Sequence, residues 1–306
     1  MRILITGASG FLGSFLCPAL KREGHELFEL HSRNCDLTRG DALRPWDRIL
    51  LDQIYHLAAW TRAGDFCLKH PGKQWLINQK INTNLLHWWQ ERQPQARLIT
   101  IGSSCAYDPA LPLEETYYLK GSPIDSLLSY AMTKRMLLYG LEALHSEFGL
   151  HYLYVIPSTI YGPDYPIDGR QRHFIFDVIH KLLVYQMTGA PPVLWGDGEQ
   201  RREVVHGRDL VDALLHLVSI LSDSCVNIGP GEEHSIKSFV SRLCAYLELP
   251  FEVVQFDPQG YVGARSKKLA IQKLKTLYPS YSPLPLDQGL RETVDSYRSR
   301  FFYGQS

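Results

Sequence analysis

The sequence lacks several features that would assign a protein class at once. Its 306 residues carry 32 Lys and Arg against 32 Asp and Glu, so the formal net charge is zero. A neutral chain has no bulk attraction for a phosphate backbone, which argues against a nucleic-acid partner. No apolar run approaches the ~20 residues that a membrane span needs, and there is no repeat or low-complexity tract. We therefore expect a globular protein without a membrane partner.

The cysteines and the first residues carry equally few signals. Six cysteines are scattered along the chain without a Cys-x-x-Cys pair, so we expect free thiols, no disulfide framework and no metal site. Residues 1–7 run from a short apolar strand directly into glycine and lack the long apolar core of a signal peptide. Both observations favour a cytoplasmic location.

What is present is an alternation of strands and helices. The sequence predicts short strands at 3–5, 27–30, 53–56, 98–101 and 152–156, and helices at 11–23, 76–90 and 126–148. Strands that alternate with helices indicate right-handed βαβ units and a parallel sheet. The fold class expected is α/β, a Rossmann doubly wound parallel sheet over residues 1–163, with a return segment near 204–232. Residues 164–203 and 233–306 are expected to form a smaller mixed α/β C-terminal domain that binds substrate.

A glycine-rich turn follows the first predicted strand. Gly7-Ala-Ser-Gly10-Phe-Leu-Gly13 has the spacing Gly-x-x-Gly-x-x-Gly and opens the first helix. Glycine permits a tight turn and a close approach of a pyrophosphate, and the helix N-terminus offers free N–H donors. The alternative is an ordinary glycine-rich turn, but the position between strand and helix favours a dinucleotide site.

The end of the second strand indicates which dinucleotide is bound. This strand ends Leu30-His31-Ser32-Arg33, with no acid at the position that holds the ribose of NAD. Arg33 is placed to bind a 2′-phosphate, so we expect NADP and leave NAD open. The alternative reading of Arg33 is a solvated loop cation.

Three residues have the types and spacing needed for proton transfer to a ketone. Tyr130 and Lys134 are four residues apart on a predicted helix, so they share one face. A nearby ammonium and an oxidised nicotinamide would lower the high pKa of the phenol by stabilising phenolate. Ser103 follows the predicted strand 98–101, where its hydroxyl could hold the reacting carbonyl while Tyr130 passes the proton. Without Ser103 and the glycine turn, Tyr130 and Lys134 would read as a surface pair.

With these motifs the chain resembles the extended short-chain dehydrogenase/reductase family of nucleotide-sugar epimerases, dehydratases and reductases. Further matches are His56-Leu-Ala-Ala59, Tyr161-Gly-Pro163 and Trp195-Gly-Asp-Gly198. The resemblance implies the following cofactor contacts: Gly7, Ser9, Gly10, Phe11, Leu12, Gly13, Arg33, Asp36, Leu37, Leu57, Ala58, Ala59, Asn78, Tyr130, Lys134, Pro157 and Ile160. It implies substrate contacts at Ser104, Lys181, Trp195, Arg202 and Arg265.

Within this family the likeness is greatest to the enzymes that epimerise and reduce GDP-4-keto-6-deoxymannose. That likeness makes Cys105 and His173 the pair that inverts carbons beside the ketone, one acting as base and the other as acid. The alternatives are that Cys105 fills space behind a strand and that His173 is a loop residue bonded to backbone. The family's Lys-Pro-Asp-Gly segment reads Asp257-Pro-Gln-Gly260 here. The base and the sugar, for example a GDP-heptose, therefore stay open.

Two other functions remain possible from the sequence. One is a nucleotide-sugar 4-epimerase that keeps NAD tightly bound and returns the hydride. The other is a cofactor-sensing protein on the same fold, since a fold does not dictate a function. The family also implies a homodimer through the helices around 78–92 and 126–148.

Overall fold

The computed structural model describes residues 1–61, 66–168, 171–260 and 263–303. The strands are β1 Arg2–Thr6, β2 Glu26–Leu30, β3 Gln53–His56, β4 Arg97–Ile101, β5 Tyr152–Pro157, β6 Thr159–Tyr161, β7 Val193–Trp195, β8 Arg201–Arg202, β9 Val204–His206, β10 Ser224–Ile228, β11 His234–Ser235 and β12 Gln255–Asp257. The helices are α1 Gly13–Arg22, α2 Phe66–Lys69, α3 Pro71–Arg92, α4 Leu128–Phe148, α5 Phe174–Thr188, α6 Gly207–Ile220, α7 Ile236–Leu247, α8 Gln272–Leu277 and α9 Leu286–Tyr303.

The central sheet is parallel and confirms the predicted fold class. Its six strands lie in the order β10, β5, β4, β3, β1, β2, and every neighbouring pair is parallel. Strand β5 is buried along its whole length, and Ile3, Leu4 and Ile5 of β1 are fully buried, because helices cover both faces of such a sheet. After β1 the chain adds β2 on one side and then β3, β4 and β5 on the other, so the strand order changes direction between β1 and β3. In open α/β sheets, ligands bind in the crevice at this point, outside the carboxyl ends of the strands.

Glycines end helices α4 and α5. Gly149 follows α4 with φ 70°, and Gly189 follows α5 with φ 71°. This left-handed conformation is the usual way to stop an α-helix, and glycine adopts it without the steric cost of a Cβ atom. The return strand β10 pairs with β5, as the sequence predicts for residues 226–229.

Two hydrophobic clusters form the interior. The first surrounds the central sheet and includes α1, α4 and α6, and the second joins α5, α7 and α9. Leu269, Ile271 and Leu274 pack into the first cluster, although they lie in the segment predicted to belong to the smaller domain. The domain boundaries stay a prediction. Among the described residues, no helix combines the length and apolarity required to cross a bilayer.

Candidate active site

The parallel register brings the predicted motifs to one edge of the sheet. Thr6 pairs with His56, and His56 pairs with Thr100, so β1, β3 and β4 end level with one another. The glycine turn, the segment 57–61 and Ser103 directly follow these three strands. Residues that are far apart in sequence therefore border a single crevice.

The glycine turn is packed too closely for a side chain at its first position. Gly7 has φ 71°, and a Cβ added there would lie 2.7 Å from the backbone nitrogen of Ala58. At Gly13 an added Cβ would lie 2.1 Å from the carbonyl oxygen of Ala8, because α1 begins directly against the turn. The turn is also held to the end of β2, since the backbone N–H of Ala8 donates to Leu30. Glycine is required here by close backbone contact, as expected for a dinucleotide turn.

Some residues of the glycine turn are exposed at the crevice, and one packs into the second hydrophobic cluster. Ser9 and Gly10 are exposed, and Leu12 precedes the first residue of α1. The Phe11 ring packs edge-on against Tyr165 and Phe176 of the second cluster. Within the described residues, the backbone N–H groups of Phe11 and Leu12 donate to no acceptor. An anion such as a pyrophosphate can accept hydrogen bonds from groups of this kind.

Arg33 lies in an ordered turn beside the glycine turn. Asn34 fixes this turn by accepting from the backbone N–H of His31 at 2.8 Å and donating to the carbonyl of Glu29 at 3.1 Å. The Arg33 side chain is exposed. The Asp36 carboxylate is already bonded by the Thr38 hydroxyl and backbone N–H, which lower its pKa. Leu37 is buried and its carbonyl accepts from Asn84.

Asn78 shapes the segment that follows β3. Its side-chain oxygen accepts from the backbone N–H of Trp60 at 2.8 Å, and its nitrogen donates to the Trp60 carbonyl at 3.0 Å. Asn78 is only 3% exposed. Its side chain therefore holds the backbone next to Leu57, Ala58 and Ala59, which are half-buried and border the crevice.

Ser103, Tyr130 and Lys134 converge at the end of β4. Lys134 donates from Nζ to the Ile101 carbonyl at 2.7 Å, and the same Nζ lies 5.9 Å from the centre of the Tyr130 ring. Ser103 Oγ accepts from the backbone N–H of Cys105 at 3.2 Å. Burial lowers the pKa of Lys134 to about 8. The arrangement has the donors needed to hold a carbonyl oxygen and pass it a proton.

The phenol pKa behaves differently from the sequence-based expectation. In this structure burial raises the pKa of Tyr130, followed by the nearby thiols of Cys105 and Cys67, while a hydrogen bond with Ser103 acts in the opposite direction. Burial outweighs the stabilisation of phenolate expected from Lys134, because the Lys134 ammonium donates to a backbone carbonyl rather than to the phenol oxygen. At neutral pH Tyr130 is therefore a protonated donor.

Cys105 and His173 share a neighbour that the sequence analysis did not single out. Lys267 donates from Nζ to Cys105 Sγ at 3.4 Å, and its charge also lowers the pKa of His173. His173 precedes the first residue of α5 and is accessible to solvent, but protein surrounds it in the crevice, and the loss of bulk water is the larger cause of the lowered pKa. Ser104 is buried. The chain segment containing Lys267 thus closes the crevice from the opposite side.

The remaining predicted contacts lie around this opening. Lys181 pairs with Asp177 at 2.7 Å and donates to the Val193 carbonyl at 2.9 Å, so its ammonium has protein partners. Trp195 is 49% exposed. Arg202 donates to the Ala264 carbonyl at 2.8 Å, and its charge acts on the Cys105 thiol.

The last three predicted contact residues lie in β5, in β6 and in the segment between β12 and α8. Pro157 is the buried last residue of β5, and Ile160 is half-buried in β6. Arg265 is exposed, and its carbonyl accepts from the backbone N–H of Arg201 at 2.7 Å. The individual contacts assigned to these residues and to those above remain predictions.

Two polar networks support the site and could not be recognised from sequence spacing. Arg135, next to Lys134 and 5% exposed, donates to the carbonyls of Ala106, Lys120 and Gly121. Tyr118 accepts from the backbone N–H of Ser103, and it shares a hydrogen bond with Tyr154, which donates to the Lys134 carbonyl. Such buried groups must be hydrogen-bonded, and their partners here fix the backbone at Ser103 and Lys134.

A second group of titratable residues lies at the opposite edge of the sheet. His145, His151 and Asp223 bring their potential ligand atoms within 4.8 Å of one another. Asp223 faces His151 at 2.8 Å and His145 at 3.3 Å, and His145 Nδ1 also faces the Leu150 carbonyl at 2.9 Å. These hydrogen bonds are sufficient to explain why the three side chains lie close together.

The family model for the NAD dependent epimerase/dehydratase family matches residues 3–229 of the chain. The chain belongs to this family. The match runs from β1 past β10 and so includes the whole central sheet, the glycine turn, Ser103, Tyr130 and Lys134.

Individual members of the epimerase/dehydratase family resemble the chain over nearly its full length. UDP-glucuronic acid decarboxylase 1 of Xenopus tropicalis is 29% identical over 315 residues, which cover 97% of this chain and 72% of the relative. GDP-L-fucose synthase of Dictyostelium discoideum is 25% identical over 310 residues, covering 97% and 96%. The crystal structure of a GDP-L-fucose synthetase from Naegleria fowleri bound to NADP has a TM-score of 0.86 at 23% identity, covering 99% of this chain and 95% of that one.

The residues at the crevice fit the dinucleotide that membership of this family implies. The packed glycine turn excludes side chains from the place where a pyrophosphate approaches, and the free N–H groups of Phe11 and Leu12 supply donors. The relatives named above differ in nucleotide base and in reaction, so the family alone does not decide the substrate.

Proposed function

We propose that this protein is an NADP-dependent reductase or epimerase/reductase of a nucleotide-linked 4-keto-sugar. The observation that carries the proposal is the convergence of Ser103, Tyr130, Lys134 and Cys105 at the end of β4, beside the glycine turn. When bound, the nicotinamide supplies the hydride for carbon 4. Ser103 and Tyr130 hold the ketone oxygen, and Tyr130 gives it a proton. The buried Lys134 ammonium stabilises the phenolate that remains.

The sugar is proposed to be a GDP-linked 4-keto-6-deoxymannose or a related heptose. Support comes from Cys105 at the crevice, where a 4-keto group would acidify the protons on the neighbouring carbons. Arg202 is proposed to bind the diphosphate, because a guanidinium can donate two parallel hydrogen bonds to phosphate oxygens. The segments 164–203 and 233–306 are proposed to form the substrate-binding domain.

Incubation with NADPH and GDP-, UDP-, TDP- and CDP-linked 4-keto sugars tests the reaction, with NADPH followed by absorbance and products resolved by NMR. A reductase consumes one NADPH for each sugar reduced. Conversion of a UDP-linked 4-hydroxy sugar into its C4 epimer, without net consumption of cofactor, would instead identify a 4-epimerase. NADPH binding without turnover of any of these sugars would identify a cofactor-sensing protein and end the proposal.

We propose NADP as the cofactor because Arg33 is exposed at the end of β2 beside the glycine turn. Replacing Arg33 with alanine is expected to weaken NADPH binding by about 10- to 100-fold, the effect of one lost charged hydrogen bond. NADH binding should not change, since NADH has no 2′-phosphate. Fluorescence titration of both cofactors measures this, and Arg48→Ala, another exposed arginine, is the control. Equal binding of both cofactors before and after the change would refute the assignment.

We propose a homodimer through α3 and α4, which pack against each other. Met136 and Tyr139 on α4 are 46% and 61% exposed, and Trp75 and Leu76 on α3 are 44% and 55% exposed. Exposed apolar side chains on two helices that pack together can contribute to a protein interface. Tyr139→Lys is expected to convert the dimer to a monomer in sedimentation equilibrium, because an ammonium would be buried in the interface. A wild-type protein that sediments as a monomer at micromolar concentration would contradict the proposal.

We further propose a cytoplasmic location, since all six cysteines are free thiols.

A further inference from the structure

Lys267 reaches Cys105 across the crevice from a distant part of the chain. The two residues are 162 positions apart, and Lys267 lies between β12 and α8. Its Nζ is 3.4 Å from Cys105 Sγ, within hydrogen-bond distance for sulfur, and both side chains are half-buried. An ammonium at this distance favours the thiolate over the thiol.

The surroundings of Cys105 differ from those of the structural cysteines. Burial, followed by the charge of a nearby carboxylate, raises the pKa of Cys17, Cys35 and Cys244, each to about 11. The pKa of Cys105 is lowered in spite of burial, chiefly by the charge of Lys267.

Two further groups act on the Cys105 thiol in the same direction as Lys267. A hydrogen bond with Ser103 and the charge of Arg202 also lower its pKa. Tyr130 and Cys67 are the uncharged titratable groups that interact with it. The two positive charges that lower the pKa of this thiol, on Lys267 and Arg202, therefore both come from the C-terminal half of the chain.

We propose that Lys267 is a positioning residue that holds Cys105 as a thiolate, the form in which it can remove the proton beside the ketone. The role of Cys105 as a base rests on the proposed function. The same ammonium disfavours a positive charge on the His173 imidazole. Lys267 therefore favours a negatively charged Cys105 and a neutral His173. Sequence reasoning left these two roles open.

The proton and electron balance of the step is simple. The thiolate takes the proton from the carbon beside the ketone, the C–H bond breaks, an S–H bond forms, and the electron pair moves to the carbonyl oxygen to give an enolate. Ser103 and Tyr130 hold that oxygen. Lys267 remains protonated throughout. In D₂O the thiol exchanges to S–D and returns a deuteron to the carbon, so isotope exchange requires no second protein group.

Alkylation by iodoacetamide measures the ionisation of Cys105 directly. The reagent is uncharged, so Lys267 affects its rate through the thiolate fraction and not by attracting the reagent. Rates would be followed from pH 5 to 10 by mass spectrometry of the tryptic peptide 98–120, in which Cys105 is the sole cysteine. Lys267→Met is expected to shift the rate profile upward by about one pH unit or more, which slows alkylation near neutral pH by about tenfold.

Matched variants separate charge from structure. Lys267→Arg keeps the positive charge and should retain the wild-type profile, and Lys268→Met removes an equal charge from the exposed neighbouring residue and should do the same. Lys267→Gln replaces Lys267→Met if the latter does not fold, as judged by circular dichroism. An unshifted profile in a folded Lys267→Met or Lys267→Gln protein would overturn the proposal.

A second measurement uses GDP-4-keto-6-deoxymannose in D₂O without NADPH. Lys267→Met and Cys105→Ser should both slow deuterium incorporation beside the ketone by about tenfold or more. Because alkylation needs no substrate, a shifted alkylation profile without turnover of any keto-sugar would refute the proposed function and leave the thiolate assignment intact. Wild-type exchange rates in Cys105→Ser would refute its role as base.

Discussion

Replacing Tyr130 with phenylalanine is expected to lower the rate of hydride transfer by about 10²–10⁴-fold, the usual contribution of a positioned acid or base. The change removes the hydroxyl that gives the ketone its proton. It leaves the ring and its contact with Lys134 in place. Binding of NADPH should therefore stay unchanged, since the pyrophosphate is bound by the glycine turn.

Stopped-flow measurement of NADPH oxidation and fluorescence titration of NADPH test the two halves of this prediction. Tyr139→Phe is the matched control, because Tyr139 lies on the same helix, its side chain is 61% exposed in the protomer, and the change keeps the apolar ring that is proposed for the dimer interface. Full activity in Tyr130→Phe would mean that another group donates the proton. Parallel loss of activity and NADPH affinity would indicate a structural role for the hydroxyl.

Replacing Gly7 with alanine is expected to lower the free energy of unfolding by about 2–5 kcal/mol. The left-handed backbone contributes about 1–2 kcal/mol, and the forced separation of the turn from the backbone at Ala58 contributes about 1–3 kcal/mol. The added Cβ would be 2.7 Å from a backbone nitrogen, which no side-chain rotation can relieve. NADPH binding should be lost together with stability, because the turn and the segment after β3 must separate.

Gly24 provides a matched control for the backbone contribution. It has φ 78°, close to that of Gly7, but an added Cβ there meets no atom within 4 Å. Gly24→Ala is therefore expected to cost only about 1–2 kcal/mol and to leave NADPH binding intact. Urea unfolding and NADPH titration of both variants make the comparison. Equal losses in the two variants would show that close packing at Gly7 contributes nothing.

The sequence predicted the elements of the central sheet well because their signals are local. A short apolar stretch predicts a buried strand, and β3, with Ile54 and Tyr55 at its centre, was predicted with its observed bounds, 53–56. Helix ends were less accurate. Helix α3 begins at Pro71 rather than at 76, since its first turn is polar and its apolar periodicity starts later, although proline is well suited to the first turn.

Some residues of the candidate site could be recognised from the sequence and others could not. The glycine turn, Ser103 and the Tyr130–Lys134 spacing could be recognised because each depends on a few neighbouring residues. Lys267 could not be recognised, since no periodicity relates it to Cys105. The raised pKa of Tyr130 was also missed, because it depends on burial by groups from several elements.

By itself, the sequence determined that this chain folds around a parallel sheet with a dinucleotide turn and a serine, tyrosine and lysine set at its carboxyl edge. These features follow from hydrophobic periodicity, from the steric freedom of glycine and from helical spacing, all of which act over a few residues. Only the tertiary structure decided which charges surround each reacting group. Electrostatic energy and desolvation depend on distances through space, and folding alone brought the Lys267 ammonium within 3.4 Å of the Cys105 thiol.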